Sequence, residues 1–444
     1  MHFLKIITFT LGLLLMISLQ VNAQTKHQFT LQQAVDFATK NNIQVKNALL
    51  NVQIQQQNNR LMTAAAFPTI DANVGTTYFI DIPVSLIPGE IFGQPKGTYL
   101  PVQFGTKYNT TASIQLKQLL FDGQVFVGLQ ARDASMLYQK KAVEVTEENI
   151  KANVQKIYYQ LVVAKKQIEL LDANIARLKK LQHDVNEIYK NGFAEKLDVD
   201  KLEVSLNNLK TEKQKVLNTI NIGYVGLKTL LGMPIADELI LTDQVSETEI
   251  KKDVLIDSVN YSDRKEYQYL QIAKTLNQYN VKRYQLNYLP TISFNANYSK
   301  QALRNKYTFF EKGDWFTSSF VGLNINMPIF NGFTKDSRLH LARLDLQQIN
   351  NNIDNLKIII NAETEQAKLK FISSLETIDI QKRNMILAEK VYDQTKKKYE
   401  AGTGSNTEIT TAETELKASQ TNYIAALYDA IIAKVDFLKA IGKL

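Results

Sequence analysis

Residues 289–299 read Leu289-Pro290-Thr291-Ile292-Ser293-Phe294-Asn295-Ala296-Asn297-Tyr298-Ser299, and from Ile292 onward apolar and polar side chains alternate without a break. Successive side chains of a strand point to opposite faces, so this stretch predicts a strand with one apolar and one polar face. Val321, Leu323, Ile325 and Met327 alternate with Gly322, Asn324 and Asn326 in the same way. The proline step recurs at Phe67-Pro68-Thr69-Ile70, where Ile70, Ala72 and Val74 alternate with Asp71, Asn73 and Gly75. Ala112, Ile114 and Leu116 against Ser113, Gln115 and Lys117 complete that second pair. Residues 81–108, which separate its two strands, carry proline and glycine and read as a loop.

The two halves of the chain share one plan. Pro68 corresponds to Pro290, Gly123 to Gly332, Gly192 to Gly402 and Gly232 to Gly442, the last two pairs both 210 residues apart. After each strand pair the hydrophobic period lengthens. Glycine and proline are absent for 63 residues between Gly128 and Gly192 and for 69 between Gly332 and Gly402. At ~1.5 Å per residue these predict helices about 95 and 105 Å long. Ile150, Val154, Ile157, Leu161, Ala164, Ile168, Leu171, Ile175 and Leu178 step by four and three, the spacing of a left-handed coiled coil. Leu346, Ile349, Ile353, Leu356 and Ile360 do the same, after which the second pattern loses its regularity. Each long helix is expected to end at a glycine turn and a shorter one to return, giving two antiparallel hairpins.

Lys5, the apolar run from Ile6 to Leu19 and the small-residue site Val21-Asn22-Ala23 predict a secretory segment over 1–23, with the mature chain starting at Gln24. The 14-residue run is shorter than the roughly 20 residues of a spanning helix. No later stretch is long and apolar enough either, so membrane insertion would have to use strands. The predicted plan continues with an N-terminal helical segment (24–66), a first strand pair with a long loop (67–122) and a first helical hairpin (123–232). A link and helix (233–288), a second strand pair (289–331) and a second hairpin (332–444) follow. Cysteine is absent, which leaves no disulfide, thiolate metal site or lipidated cysteine. The net charge of +8 is small against 52 basic and 44 acidic residues, and no basic patch with interleaved aromatics points to nucleic acid.

In lipid only helices and closed barrels satisfy the backbone, and barrels need at least about eight strands, so four strands per chain demand more than one copy. The landmarks resemble those of the TolC-like outer-membrane efflux factors. Phe29-Thr-Leu-Gln-Gln-Ala-Val-Asp-Phe-Ala-Thr-Lys-Asn-Asn42 looks like that family's opening helix, and the duplicated Pro-Thr-Ile and Phe-(Asp/Asn)-Gly motifs are similar to its repeat marks. So are the turns from Tyr189 to Gly192 and from Tyr399 to Gly402. The resemblance, which covers residues 24–443, implies a mainly α fold with a membrane β part. Long coiled-coil hairpins and four strands per chain would build a homotrimer with a shared twelve-stranded barrel in the cell outer membrane and a tunnel extending into the periplasm. It implies a passive exit duct for efflux or type I secretion, with a periplasmic adaptor and an inner-membrane transporter as partners. Residues 233–262 and the N-terminal segment would form an equatorial region.

Within that resemblance Tyr399, Asp198 and Glu408 match residues that hold the periplasmic aperture shut, while Gly192, Phe193, Gly402 and Thr403 sit at turns that dock the adaptor. Gly404 stands where some members carry an arginine and Thr411 where some carry a second acid, so the match does not extend to an arginine lock or a doubled acidic ring. Ile114, Leu116, Ile292, Phe294, Leu323 and Ile325 would face outer-membrane lipid. Helix termination by the glycines and first-turn placement of the acids are the alternative readings. His27, His183 and His340 have no metal-ligand spacing, acidic pairs such as Glu147-Glu148 sit beside lysines, and no nucleophile, base and stabiliser set emerges. Neither an enzyme nor a cofactor is expected. A coiled-coil scaffold that moves nothing is the other class of function the pattern allows.

Overall fold

The computed structural model of the chain describes residues 26–252 and 260–444. The expected secretory segment and Gln24 lie outside the described residues, as do 253–259 of the link. The first half runs β1 (Lys26–Phe29), α1 (Leu31–Asn41), α2 (Ile43–Ala64), β2 (Thr69–Tyr78), β3 (Val84–Pro88), β4 (Tyr99–Gln103), β5 (Tyr108–Phe121), α3 (Gly123–Gln130), α4 (Arg132–Lys190) and α5 (Lys196–Leu231). The second comprises β6 (Glu238–Leu241), α6 (Glu247–Lys251), α7 (Lys265–Leu286), β7 (Thr291–Arg304), β8 (Phe316–Asn326), α8 (Thr334–Glu400) and α9 (Asn406–Ala440). The described residues divide into two units, one of 26–50, 140–252, 260–269 and 354–444, the other of 51–139 and 270–353.

The second unit is organised by an antiparallel sheet of order β2-β5-β7-β8. Its register aligns Ile70, Leu116, Ala296 and Val321 in one row and Ala72, Ile114 and Tyr298 in the next. Phe294 lies beside Leu323, and Ile292 beside Phe121 and Ile325, on the same face. A bulge between Leu119 and Phe121 brings Phe121 into that last row. The opposite face carries Asp71, Gln115 and Asn297, then Asn73, Ser113, Ser299 and Ser318. A slip of one residue would invert every row, so the alternation also specifies the register.

The loop expected over 81–108 contains a hairpin instead: β3 and β4 pair antiparallel, joined through a 3₁₀ turn at Gly89–Phe92. Pro88 and Pro101 hide these strands from a propensity reading, yet both strands of a two-stranded ribbon are edges, where proline is tolerated. Gly123 and Gly332, matched in the repeat, serve different ends. A Cβ on Gly123 would meet the Leu286 carbonyl oxygen at 2.5 Å, whereas Gly332 turns the chain at φ +60° with nothing nearby.

The first unit holds α5, α9 and all of α4 and α8 except residues 132–139 and 334–353. The seam on α4 is buried as its spacing predicts: Ile150, Val154 and Leu161 join a cluster with α1, α5 and β6, and Leu171, Ile175 and Leu178 a second with α5, α8 and α9. On α8 the heptad does not stop at Ile360. Thr364, Ala367, Phe371, Ser374 and Ile378 continue it as buried positions. The two hydroxyls are satisfied, Thr364 Oγ1 donating to the Ala440 carbonyl (3.3 Å) and Ser374 Oγ to that of Lys370 (2.7 Å). Two short strands absent from the sequence reading, β1 and β6, pair in parallel and join the N-terminal segment to the link. Buried Tyr158 on α4 secures that junction, donating to the Phe29 carbonyl (3.0 Å) and accepting from the Asp243 amide (3.3 Å). Thr30 caps α1 in a reciprocal capping box with Gln33, which gives the Thr-Leu start its physical meaning.

Candidate functional site

One face of the four-stranded sheet is an uncovered apolar surface. Ile114, Leu323 and Ile325 are exposed, and Leu116, Ile292 and Phe294 are half-buried among their cross-strand neighbours. All six residues expected to meet lipid therefore share this face. Its strands are 10 to 14 residues long, enough for the roughly 9 to 11 residues of a tilted membrane strand. Aromatic groups mark both ends. Tyr78, Tyr108, Tyr307 and Phe309 pack in tilted and edge-on contacts at the end bearing the β3–β4 hairpin, and the contacts Phe121–Phe126 and Phe330–Phe333 lie at the other. Among the described residues no helix is long and apolar enough to cross a membrane.

The turns of the helical unit are built alike. Gly192 (φ +81°) ends α4 with its amide on the Tyr189 carbonyl, and the Phe193 amide reaches back to Ile188. Gly402 (φ +72°) ends α8 with the equivalent bonds, Gly402 to Tyr399 and Thr403 to Lys398. Both are Schellman motifs, in which a left-handed residue satisfies the last carbonyls, so a side chain at either glycine is strained although space is open around it. Phe193 at the first turn is 85% exposed.

Asp198 and Tyr399 come together, but Glu408 stands apart. Asp198 accepts a hydrogen bond from Asn406 Nδ2 at 2.8 Å. Burial pushes the Tyr399 phenol upward, and the nearby Asp198 charge pushes it further. Glu408 is held instead at the start of α9, where its amide donates to Ser405 Oγ (3.2 Å) and its carboxylate faces Lys398 at 3.6 Å. The reading that located no cation at Gly404 thus missed Lys398, five residues after Asp393 and one before Tyr399. Asn406 was missed as well. It is buried, and its Oδ1 has no hydrogen-bond partner among the described residues.

Further buried charges lie inside the helical unit. Arg264, 3% exposed, donates to Glu363 and to the Ala440 carbonyl at 3.0 Å and pairs with Glu266 at 3.3 Å. Burial opposes its charge, but Glu266 and Glu363 outweigh burial and raise its pKa. Glu148 is raised by burial and then by Glu266. Burial pushes Glu413 up to about 7 against the pull of Arg177 and Lys417. Arg177 in turn stacks on the Tyr392 ring (5.4 Å) and donates to Asn174, which donates to Gln420 at 2.8 Å. Because the folded state favours the neutral carboxyl, the contribution of Glu413 is fully present below pH ~4.5 and lost as pH rises toward about 7. Glu413→Gln is expected to leave stability unchanged near pH 4.5 and to add about 1–3 kcal/mol at pH 8. Denaturant midpoints of the helical signal at the two pH values test this, and an equal difference at both would remove Glu413 as the cause.

Of the histidines, His27 lies 3.6 Å from Asp237 and against Phe29 and Phe37, and His340 lies 3.6 Å from Asp336 one turn away. Among the described residues no group of three metal-ligating side chains assembles.

Residues 268–443 match the family model of the outer membrane efflux protein. The chain is 20% identical over 428 residues to the outer membrane efflux protein BepC of Brucella suis biovar 1, covering 94% of this chain and 86% of that protein. It is 17% identical over 337 residues to the outer membrane protein TolC of Vibrio cholerae serotype O1, covering 75% and 77%. The solved structure of CusC, studied for folding and transmembrane channel formation, superposes with a TM-score of 0.78 over 93% of this chain and 91% of that one. At 16% identity this last likeness is one of fold. Residues 268–443 thus carry the match to the outer membrane efflux proteins, and the amphipathic sheet with its helical hairpins is the fold of the solved channel structure. The chain resembles the TolC-like outer-membrane factors in sequence and in fold, and the relatives it matches are outer membrane proteins.

Proposed function

We propose that three copies of the chain close one twelve-stranded barrel and that the trimer is a passive exit duct of a tripartite efflux or type I secretion system. The observation that carries this reading is the sheet β2-β5-β7-β8, which leaves both outer strands unpaired beside an uncovered apolar face. Unpaired edges in lipid would leave backbone groups unsatisfied, so the sheet needs copies of itself to close. The helical unit supports the same conclusion, because Ile358, Leu369, Ile372, Ile380, Leu387 and Val391 are exposed along one stripe of α8. A second copy would cover it.

In this reading Ile114, Leu116, Ile292, Phe294, Leu323 and Ile325 face outer-membrane lipid. Tyr399, Asp198 and Glu408 narrow the periplasmic mouth. Gly192, Phe193, Gly402 and Thr403 present the turns to a periplasmic adaptor, which couples the duct to an inner-membrane transporter. The duct supplies no energy. The experiment has two arms. Purified protein should be a detergent-requiring trimer that conducts ions across a planar bilayer, and cysteines at Phe193 and Thr403 should crosslink to an adaptor in transporting cells, without background because the chain has no cysteine. A soluble monomer would end the duct reading, and absence of any adaptor crosslink would end the docking one.

A further inference from the structure

The hairpin β3–β4 is well built and poorly covered. Its tip is fixed by the Gly89 amide on the Thr98 carbonyl (2.7 Å), the Gln94 amide on that of Gly89 (3.0 Å) and Thr98 Oγ1 on that of Pro95 (2.7 Å). Yet Val84, Leu86, Ile91, Phe92, Tyr99 and Phe104 are all exposed. A two-stranded ribbon is marginal in water by itself, and one with this much apolar surface needs a cover. Charge does not select a polar or anionic partner, since residues 81–108 contain only Asp81, Glu90, Lys96 and Lys107, two of each sign.

A matching surface exists on the same chain in the connection that leads to the other edge strand, which meets its own chain at Tyr108 and Lys107 and leaves further aromatic groups uncovered. The connection between β7 and β8, residues 305–315, leaves Phe310 95% exposed and Tyr307 and Trp315 partly so, with balanced charges of its own. Tyr78 pairs with Tyr108 and Tyr108 with Arg304, so hairpin and connection leave the sheet at the same end. The hairpin follows edge strand β2, and the connection precedes edge strand β8. Closing a barrel head to tail sets β8 of one copy beside β2 of the next, and the same rotation carries the connection against the neighbour's hairpin.

We infer that the β3–β4 hairpin of each copy packs on the β7–β8 connection of an adjacent copy, forming an apolar ring of contacts at the loop end of the barrel. This rests on the shared-barrel reading. The occupant is a second copy because the two surfaces are complementary in character and barrel closure already brings them together. The contact is heterologous and repeats around the trimer.

The test uses full-length trimers carrying Phe92→Cys together with Phe310→Cys, treated with a short bismaleimide. The expected result is conversion of most chains to covalent dimers and trimers on a denaturing gel, with either single variant remaining monomeric. Ile91→Cys with Phe310→Cys repeats the test should the first pair assemble poorly. Trimers that form normally but yield no more crosslink than the single variants would overturn the contact and leave the barrel standing. Phe92→Cys linking to itself would show hairpin meeting hairpin and would also overturn it, as would linkage to a different protein. A chain that is monomeric in detergent would defeat the barrel reading and this inference together.

Discussion

Replacing Phe294 with arginine is expected to abolish assembly of the trimer in the outer membrane, and Ile114→Arg to do nearly as much. Phe294 lies beside Gln118 and Leu323, and Ile114 between Ala72 and Tyr298, on the apolar face of the sheet. An arginine facing lipid near the midplane costs roughly 2–4 kcal/mol per site, and a threefold barrel repeats the charge three times. Because overall stabilities of folded domains are only about 5–15 kcal/mol, that penalty is large enough to shift the population away from the assembled state. Asn295→Arg is the control, since Asn295 pairs with Lys117 and Gly322 on the polar face and should be tolerated. Heat-modifiable trimer in isolated outer membranes is the readout. Normal yield from Phe294→Arg and Ile114→Arg, or equal loss from Asn295→Arg, would show that lipid does not lie against this face.

The second large effect is expected at the turns, where Tyr399→Ala should raise the resting conductance of the trimer severalfold. Tyr399 packs with the apolar cluster of the hairpin ends and lies close to Asp198, which is itself bound to Asn406. Removing the ring takes away packing as well as the neighbour of a carboxylate, whereas Asp198→Asn should have a smaller effect because an amide still accepts from Asn406. Glu408 should behave differently. Its pair with Lys398 is solvent-exposed at 3.6 Å, and such pairs contribute about 0–1 kcal/mol, too little to hold a mouth shut. Glu408→Gln is therefore expected to lower cation preference while changing resting conductance little, as loss of an acidic ring does in a pore. Bilayer recordings of one preparation give both quantities. If Glu408→Gln opened the channel and Tyr399→Ala did not, the roles assigned to the two residues would have to be exchanged.

The parts of the fold that were legible are those with an uninterrupted period. Ile292 to Ser299 alternates strictly, and the α4 seam from Ile150 to Leu178 is filled almost wholly by aliphatic residues, so each predicts its own element. On α8 the same heptad passes through Thr364, Ala367 and Ser374, and polarity conceals a seam whose burial depends on hydroxyls finding carbonyls. β1 and β6 are four residues each, too short to display a period, and they exist because they pair with one another 212 positions apart. The hairpin β3–β4 was hidden by prolines that only an edge strand admits.

At the candidate site, the sequence by itself determined which residues are apolar along each strand, where the long helices stop, and that two halves repeat one plan. These are local properties, set by side-chain period and by glycine at left-handed turns. Only the tertiary structure decided that the apolar residues of four strands share one face, because register between distant strands is a matter of pairing and not of composition. Only it decided that Asp198 belongs with Asn406 and Tyr399 while Glu408 belongs with Lys398. A hydrogen bond across 208 residues depends on how two helix starts are brought together, and no spacing along the chain encodes that distance.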